Sequence, residues 1–496
     1  MATGHLPVRT EISTDTAARD HSGIHASAAL HLPALRIDAR GVRKVDYRKI
    51  LLLAAPLFVN SGVQALLNLT DTWFIGRIST AATAAMGATY FLVLVFIVLA
   101  GGIGMGVQTL VAHAYGARRR RRAASVVWAG MWASLATVPA FLALAAAGPW
   151  LLAPFALGAE IERLALAYWV PRILRGPLAV AMWVVFGFFN GIGRTAVTLV
   201  LNAGVTVLNA VLNEIFIFRL DLGIAGAGWA TTASLAAGTL AGAALFASRG
   251  VHREYASRLT WRPRLSRIAG TAVFGLPMGM SVTMDLLALA LFQLMQVKLG
   301  PVDGAASQIA LMLTSLCFMP AVGFGMAGTT LVGQSIGAGD KAWGYRLGNA
   351  TIKLSVTYMG LSGVLLAALG PWLMPWFVAT ADPHAGEVAR LGVILLWLAA
   401  AYQAFDGLNI GASFCLRGAG DTRVPAMLVF ALAWGLFMPL AHGLTFAPGQ
   451  GWADLPLQAG WGASGGWIAA VVYVMALGVT LFLRWRSGAW QDIVVR

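Results

Sequence analysis

Charge is scarce in this chain. Only 11% of its 496 residues are Asp, Glu, Lys or Arg, against about 25% in an average soluble domain. A water-facing surface cannot be built from so little. With 58% hydrophobic residues and a mean hydropathy of +0.74, the chain holds more apolar residue than a soluble core hides. It reads as an integral membrane protein. Cysteine is nearly missing: Cys317 and Cys415 both lie inside apolar runs, so neither a disulfide framework nor a CxxC metal site is expected. Nucleotide and zinc-protease motifs are missing too, with no GxxxxGK before Ser or Thr and no HExxH. "GFGMAG" (323–328) matches GxGxxG, but it lies in an apolar run with no strand before it, so close helix packing is the expectation. The chain is not read as an enzyme, and no cofactor is expected.

What charge there is has a pattern. The net charge is +15, but the arginines cluster in short gaps between apolar runs rather than on a soluble face, so no nucleic-acid partner is expected. A bilayer-crossing helix needs roughly 20 apolar residues. Twelve stretches qualify, near 50–75, 83–113, 124–147, 161–189, 195–218, 226–248, 268–297, 305–335, 344–369, 387–415, 423–446 and 463–484. "ARRRRR" (117–122), "RGVHREYASRLTWRPRLSR" (249–267), "GDKAWGYR" (339–346), "RGAGDTR" (417–423) and "RWRSG" (484–488) occupy alternate gaps. The gaps at 148–162, 370–387 and 445–460 hold no Lys or Arg. The positive-inside rule then places both termini in the cytoplasm, which demands an even number of spans. "RRRRR" is a topology determinant that also suits anionic lipid. Residues 1–46 are polar and lack a signal-peptide core; they are expected to be a disordered cytoplasmic tail, with a short interfacial helix at "HASAALHLPALRI" as an option.

The two halves resemble each other. At an offset of 221, Pro56 meets Pro277, Gly104 meets Gly325, "TLV" (109–111) meets "TLV" (330–332), and Gly116 meets Gly337. "GPWL" at 148–151 recurs at 370–373. At an offset of 227, Glu160 and Arg163 meet Glu387 and Arg390, and "GIGRT" (191–195) meets "GAGDT" (418–422). Six spans separate the copies, so the halves run the same way, related by an axis along the membrane normal. Parallel repeats of this kind belong to secondary transporters, which bind substrate between the halves. The expected organisation is an N-lobe at 47–248, a basic cytoplasmic linker at 249–267, a C-lobe at 268–486 and a cytoplasmic tail at 487–496.

Inside the spans the rare polar residues form stripes. Asn60, Gln64, Asn68 and Asp71 fall on one helical face, as do Asn202, Thr206, Asn209 and Asn213. Ser281, Asp285, Gln293 and Gln296 share a sector of the seventh span, and Tyr402, Asp406, Asn409 and Ser413 a face of the tenth. Amides in such stripes often serve as hydrogen-bond glue between helices. Carboxylates differ: a charge in hydrocarbon costs roughly 2.5–3.5 kcal/mol even on lenient scales, so it must be paired, bind a cation or take up a proton. Asp71, Asp285 and Asp406 are therefore the leading candidates for ion or proton coupling. Glu214 sits beside the fifth-span stripe but off its face. Arg172 and Arg175, in the fourth span, are free to snorkel, to pair with an acidic neighbour or to shape the field of the lobe. His113, ending the second span, reads as interfacial rather than as a proton carrier.

With these residues on the page, the chain resembles a multidrug and toxic compound extrusion (MATE) transporter over residues 47 to 486. "LTDTWFIGRIS" resembles the family's first-helix pattern, "GMGVQTLVAHAYGA" its second-helix ending and "CLRGAGDTRVPAM" its basic loop after helix ten. The resemblance implies an all-α membrane fold of 12 helices in two six-helix lobes forming a V. It also implies exchange of organic, cationic or amphipathic compounds for Na+ or H+ across the inner (plasma) membrane, by a monomer embedded in lipid. Asp71 occupies the family's N-lobe carboxylate position, and Asn209 and Asn213 its helix-five pair, with Glu214 next door. "GLPMGMSVTMD" and "YQAFD" place Asp285, Tyr402 and Asp406 on the cation-binding positions of the NorM-type branch, making Na+ the first choice of ion and H+ the second. Asn68, Asn209, Asn213, Glu214, Gln293 and Asn409 are expected to support the pockets. Asp71 is expected to face a pocket with Asn68, Asn209 and Asn213 and few positive partners, gating release by protonation. The competing transport reading is a flippase for a lipid-linked precursor, which calls for a strongly basic central cavity.

Overall fold

The computed structural model describes residues 32–155, 157–377, 383–454 and 458–493. Among these residues, twelve helices are long and apolar enough to cross a membrane. The first six are α1 (Tyr47–Gly76), α2 (Thr80–Gly116), α3 (Arg120–Ala146), α4 (Ala159–Gly191), α5 (Thr195–Arg219) and α6 (Gly223–Phe246). The second six are α7 (Leu265–Leu299), α8 (Pro301–Gly337), α9 (Lys341–Phe377), α10 (Ala385–Ala419), α11 (Arg423–Thr445) and α12 (Gly462–Arg486). The all-α membrane fold and all twelve expected spans are therefore in place. Polar caps start several of them: Asp46 accepts from the Lys49 amide, Ser79 from Ala82, and Asp340 from Trp343. Two spans are interrupted where proline begins a new segment, α3 at Thr137 and α4 at Arg175, just ahead of Pro139 and Pro177.

The expected tail needs a correction. Residues 1–31 lie outside the described residues, and with them most of the candidate interfacial helix. Residues 32–46, however, are ordered: Leu35–Ile37 (β1) pairs antiparallel with Arg43–Val45 (β2). Asp38 shapes the turn, its carboxylate accepting from the amides of Arg40 and Val42, both at 2.9 Å. Leu32 and Ala34 bury against Ile50, Trp343 and Leu347, and Arg43 pairs with Asp340 at 3.1 Å. Strands of three residues are too short to leave a periodic signal, which is why composition suggested coil. The basic linker also docks. Its short helix Arg249–Tyr255 buries Tyr255 against Phe188, and Glu254 pairs with Arg120 and Arg194.

The repeat seen in the sequence is a repeat in space. Thr109 of α2 donates to the Arg417 carbonyl at 3.1 Å, and Thr330 of α8 donates to the Asn190 carbonyl at 3.0 Å. His113 Nε2 donates to the Gly418 carbonyl at 2.7 Å, and Gln334 Nε2 to the Gly191 carbonyl at 2.8 Å. Each pair maps onto the other by the offsets of 221 and 227. Reciprocal contacts of this kind mark a two-fold relation between the lobes, and with six spans separating the copies the lobes run the same way, so the axis lies along the bundle. The glycines obey the same symmetry. Gly102 packs on Gly275 and Gly279 without space for a Cβ, and its counterpart Gly323 packs on Leu57 and Phe58.

These contacts define where the lobes meet. From the Gly102 and Gly323 crossings the interface runs to His113 and Gln334, at the arginine-bearing end. Among the described residues, no hydrogen bond joins the lobes at their far ends. The lobes thus close on the basic side and part on the other, as the arms of a V.

Candidate ion and substrate sites

Each lobe carries one polar network built on carboxylate, a single Asp in the N-lobe and two in the C-lobe, and the two are chemically different. In the N-lobe, α1 brings Asp71 to the middle of a buried network. Arg172 Nη1 of α4 lies 3.1 Å from Asp71 Oδ2, with both side chains 5% exposed. Asn213 Nδ2 donates to Asp71 Oδ1 at 2.9 Å, and Thr231 of α6 donates to Oδ2 at 3.2 Å. Asn213 also donates to Asn209 at 3.1 Å, and the Arg172 guanidinium lies over the Tyr168 ring, 5.1 Å from its centroid. A carboxylate with an arginine and two neutral donors has its counter-ion built in.

In the C-lobe Asp285 and Asp406 have no such partner. Tyr473 of α12 donates its hydroxyl to Asp285 Oδ1 at 2.7 Å, and Asn409 donates to Asp406 Oδ1 at 3.1 Å. Asp285 is accessible and Asp406 half-buried. The two carboxylates lie within electrostatic reach of one another, and Tyr402 is buried one turn before Asp406. Arg417 acts on Asp285 from beyond ion-pair distance; its guanidinium stacks on Phe414 instead. Tyr473 is held by stacking on Phe437, with centroids 4.9 Å apart and planes 16° from parallel. Phe437 ends a π-helical turn, Ala433–Phe437, in α11. A second π-helical turn, Glu214–Arg219, directly follows Asn213 in α5. Such turns re-aim side chains and gather at functional sites.

The structure brings together Asp71, Asn209 and Asn213 as expected, and Asp285, Tyr402, Asp406 and Asn409 likewise. It overturns the expectation that Asp71 has few positive partners, because Arg172 reaches it across the lobe. Asn68 is not in the Asp71 network; it lies on the exposed part of α1. Glu214 is exposed as well, turned off the Asn213 face by the helical offset. Gln293 does not join Asp285: it donates to the Gly304 carbonyl at 3.4 Å, tying the far end of α7 to α8. His113 lies where the lobes meet, its Nε2 on the Gly418 carbonyl. Tyr473, Arg172 and Thr231 had not been singled out as site residues. The Arg172 signal was there, since Tyr168, Arg172 and Arg175 are spaced by four and three along α4.

Two parallel six-helix lobes meeting at one end, with carboxylates on membrane-spanning helices of both, define a two-lobed secondary transporter of the membrane. A family model described as MatE matches residues 56–215 and 277–442, one segment in each lobe, and the chain belongs to that family. Among its relatives, a probable multidrug resistance protein NorM of Burkholderia pseudomallei (strain K96243) is 31% identical over 431 residues, 85% of this chain and 90% of that protein. The multidrug resistance protein NorM of Burkholderia vietnamiensis is 30% identical over 463 residues, 92% and 96% of the two chains. Solved structures share the fold at low identity. A MATE in complex with MaL6 gives a TM-score of 0.79 at 21% identity, covering 90% of this chain and 97% of that one. An outward-facing multidrug resistance MATE family transporter of the MOP superfamily gives 0.78 at 21% identity, covering 90% and 96%.

Proposed function

We propose that this chain is an antiporter that exports small organic, cationic or amphipathic compounds, driven by inward movement of Na+ or, as the second choice, H+. The relatives named as multidrug resistance proteins support the export reading. One observation carries the coupling site: Asp285 and Asp406 have no Lys or Arg at ion-pair distance among the described residues, only the donors Tyr473 and Asn409. Two unpaired carboxylates within a membrane domain need a cation. Asp285, Asp406, Tyr402 and Tyr473 offer oxygen to a hard ion such as Na+, and a proton neutralises one carboxylate as well. Exclusive occupancy by ion or substrate then couples the two fluxes.

The positive-inside rule puts the basic end in the cytoplasm, with both termini there and the protein in the inner (plasma) membrane. On that orientation the closed end of the V faces the cytoplasm and the cleft faces outward, the state that releases exported substrate and admits the ion. One chain supplies both lobes, so a monomer suffices for the cycle. Efflux of a fluorescent organic cation from proteoliposomes, under separately imposed Na+ and H+ gradients, tests the reading. Na+ alone is expected to drive efflux. Response to H+ alone exchanges the ion, and response to neither gradient overturns antiport.

A further inference from the structure

The two lobes leave charge of opposite sign without an ion-pair partner. The C-lobe holds Asp285 and Asp406 without a paired cation, whereas in the N-lobe Asp71 is already neutralised by Arg172, and Arg175 remains. Arg175 sits at the interruption of α4, midway along the span, between Ala159–Leu174 and Gly176–Gly191. Tyr168, Arg172 and Arg175 share one face of that helix. The Arg175 Nε is buried and has no hydrogen-bond partner. Arg172, a like charge, and then Tyr168, Asp71 and Tyr90 lie within its electrostatic reach, but among the described residues no carboxylate lies at ion-pair distance from it. A guanidinium keeps its charge and its five donors, and a charge left unpaired within a membrane domain calls for a counter-ion.

We propose that Tyr168, Arg172 and Arg175 form an anion-binding subsite of the N-lobe that takes the carboxylate of an amphipathic substrate, an inference that rests on the export function proposed above. The planar guanidinium of Arg175 also carries two Nη groups side by side, the geometry that a carboxylate fills with two parallel hydrogen bonds and a halide does not. Tyr168 and Tyr90 lie within electrostatic reach of Arg175, and the hydroxyl of the half-buried Tyr90 supplies a further donor. Because Asp71 cancels one of the two arginines, the subsite carries a single net positive charge, which suits a monocarboxylate over a dianion.

Fluorescence anisotropy on the purified full chain tests this with a matched pair of probes, a xanthene dye bearing one free carboxylate and its methyl ester. The wild type is expected to bind the acid more tightly than the ester. Arg175→Gln is expected to weaken binding of the acid about tenfold, the size of a lost charged contact, and to leave the ester unchanged; Arg175→Lys recovers part of the loss. Equal loss for both dyes, or no loss, overturns the subsite. Displacement by chloride with no preference for the acid assigns the charge to an inorganic anion and overturns the substrate role. If Arg175→Gln does not fold, Tyr90→Phe removes one donor without changing charge, and it must still weaken the acid dye selectively. Gradient-driven efflux of the ester is a separate readout. Its failure in the wild type overturns the export reading while the binding data still decide the subsite.

Discussion

Asp71 and Asp406 are both aspartates in apolar helices, yet their neighbours give them opposite work. Asp71 has its counter-ion built in, so it contributes a fixed dipole to the N-lobe. Asp406 has Asn409 and a nearby carboxylate, so its counter-ion must arrive from outside. Asp406→Asn keeps the shape and most hydrogen bonds but cannot be neutralised by a cation. It is expected to abolish gradient-driven efflux while the protein remains folded and monodisperse; wild-type rates in proteoliposomes would remove Asp406 from the coupling site. Tyr473→Phe deletes the hydroxyl that donates to Asp285 and leaves the stacking on Phe437 in place. A hydrogen bond to a charged group is worth about 1.5–3 kcal/mol, so ion affinity should change by one to two orders of magnitude while the fold is retained. Isothermal titration with Na+ reads this directly, and an unchanged affinity contradicts a role for Tyr473. Tyr402→Phe should do less, since its hydroxyl offers an oxygen but no charge.

At the scale of helices, the network around Asp71 ties α1, α4, α5 and α6 into one body. Breaking one partner of a buried ion pair costs about 3–5 kcal/mol, because the other charge is left without compensation. Arg172→Gln or Asp71→Asn alone is thus expected to lower the unfolding midpoint in detergent. The double variant should recover much of the loss, giving a coupling energy far from zero in a double-mutant cycle. Additive losses would mean that the two side chains do not depend on each other. The same network shows what a single sequence can and cannot convey. The twelve spans were legible because apolar length and arginine placement are local signals. So were the stripes, because a face of a helix is local too. That Arg172 faces Asp71, 101 positions earlier, and that Tyr473 faces Asp285, 188 positions earlier, depends on which helices are neighbours. No spacing within one helix encodes that. The β1–β2 hairpin escaped for the opposite reason, being too short for any period to register.

On the scale of the whole molecule, the two-fold relation makes the closed end of the V a pair of equivalent contacts. Gly116 presses on the Gln334 carbonyl, and its counterpart Gly337 presses on the His113 carbonyl, neither with room for a Cβ against the opposing backbone. Adding one there penalises the closed arrangement and leaves an arrangement with the basic ends parted unaffected, so population should move toward the latter. Spin labels at Trp150→Cys and Trp372→Cys report the change. These are repeat-related tryptophans, 76% and 66% exposed at the far ends of the two lobes, and the native Cys317 and Cys415 are buried. As the basic ends part about the waist at Gly102 and Gly323, the far ends must approach. Gly116→Ala and Gly337→Ala are therefore each expected to shift the inter-label distance distribution to shorter values, and to a similar extent because the contacts are equivalent. Gly87→Ala, in the same helix as Gly116 but with open space around its α-carbon, is expected to leave the distribution where it is. If Gly116→Ala moves the distribution and Gly337→Ala does not, the lobes do not share the closure equally. If neither moves it, the basic end is a fixed hinge and the far ends open and close by bending within the lobes.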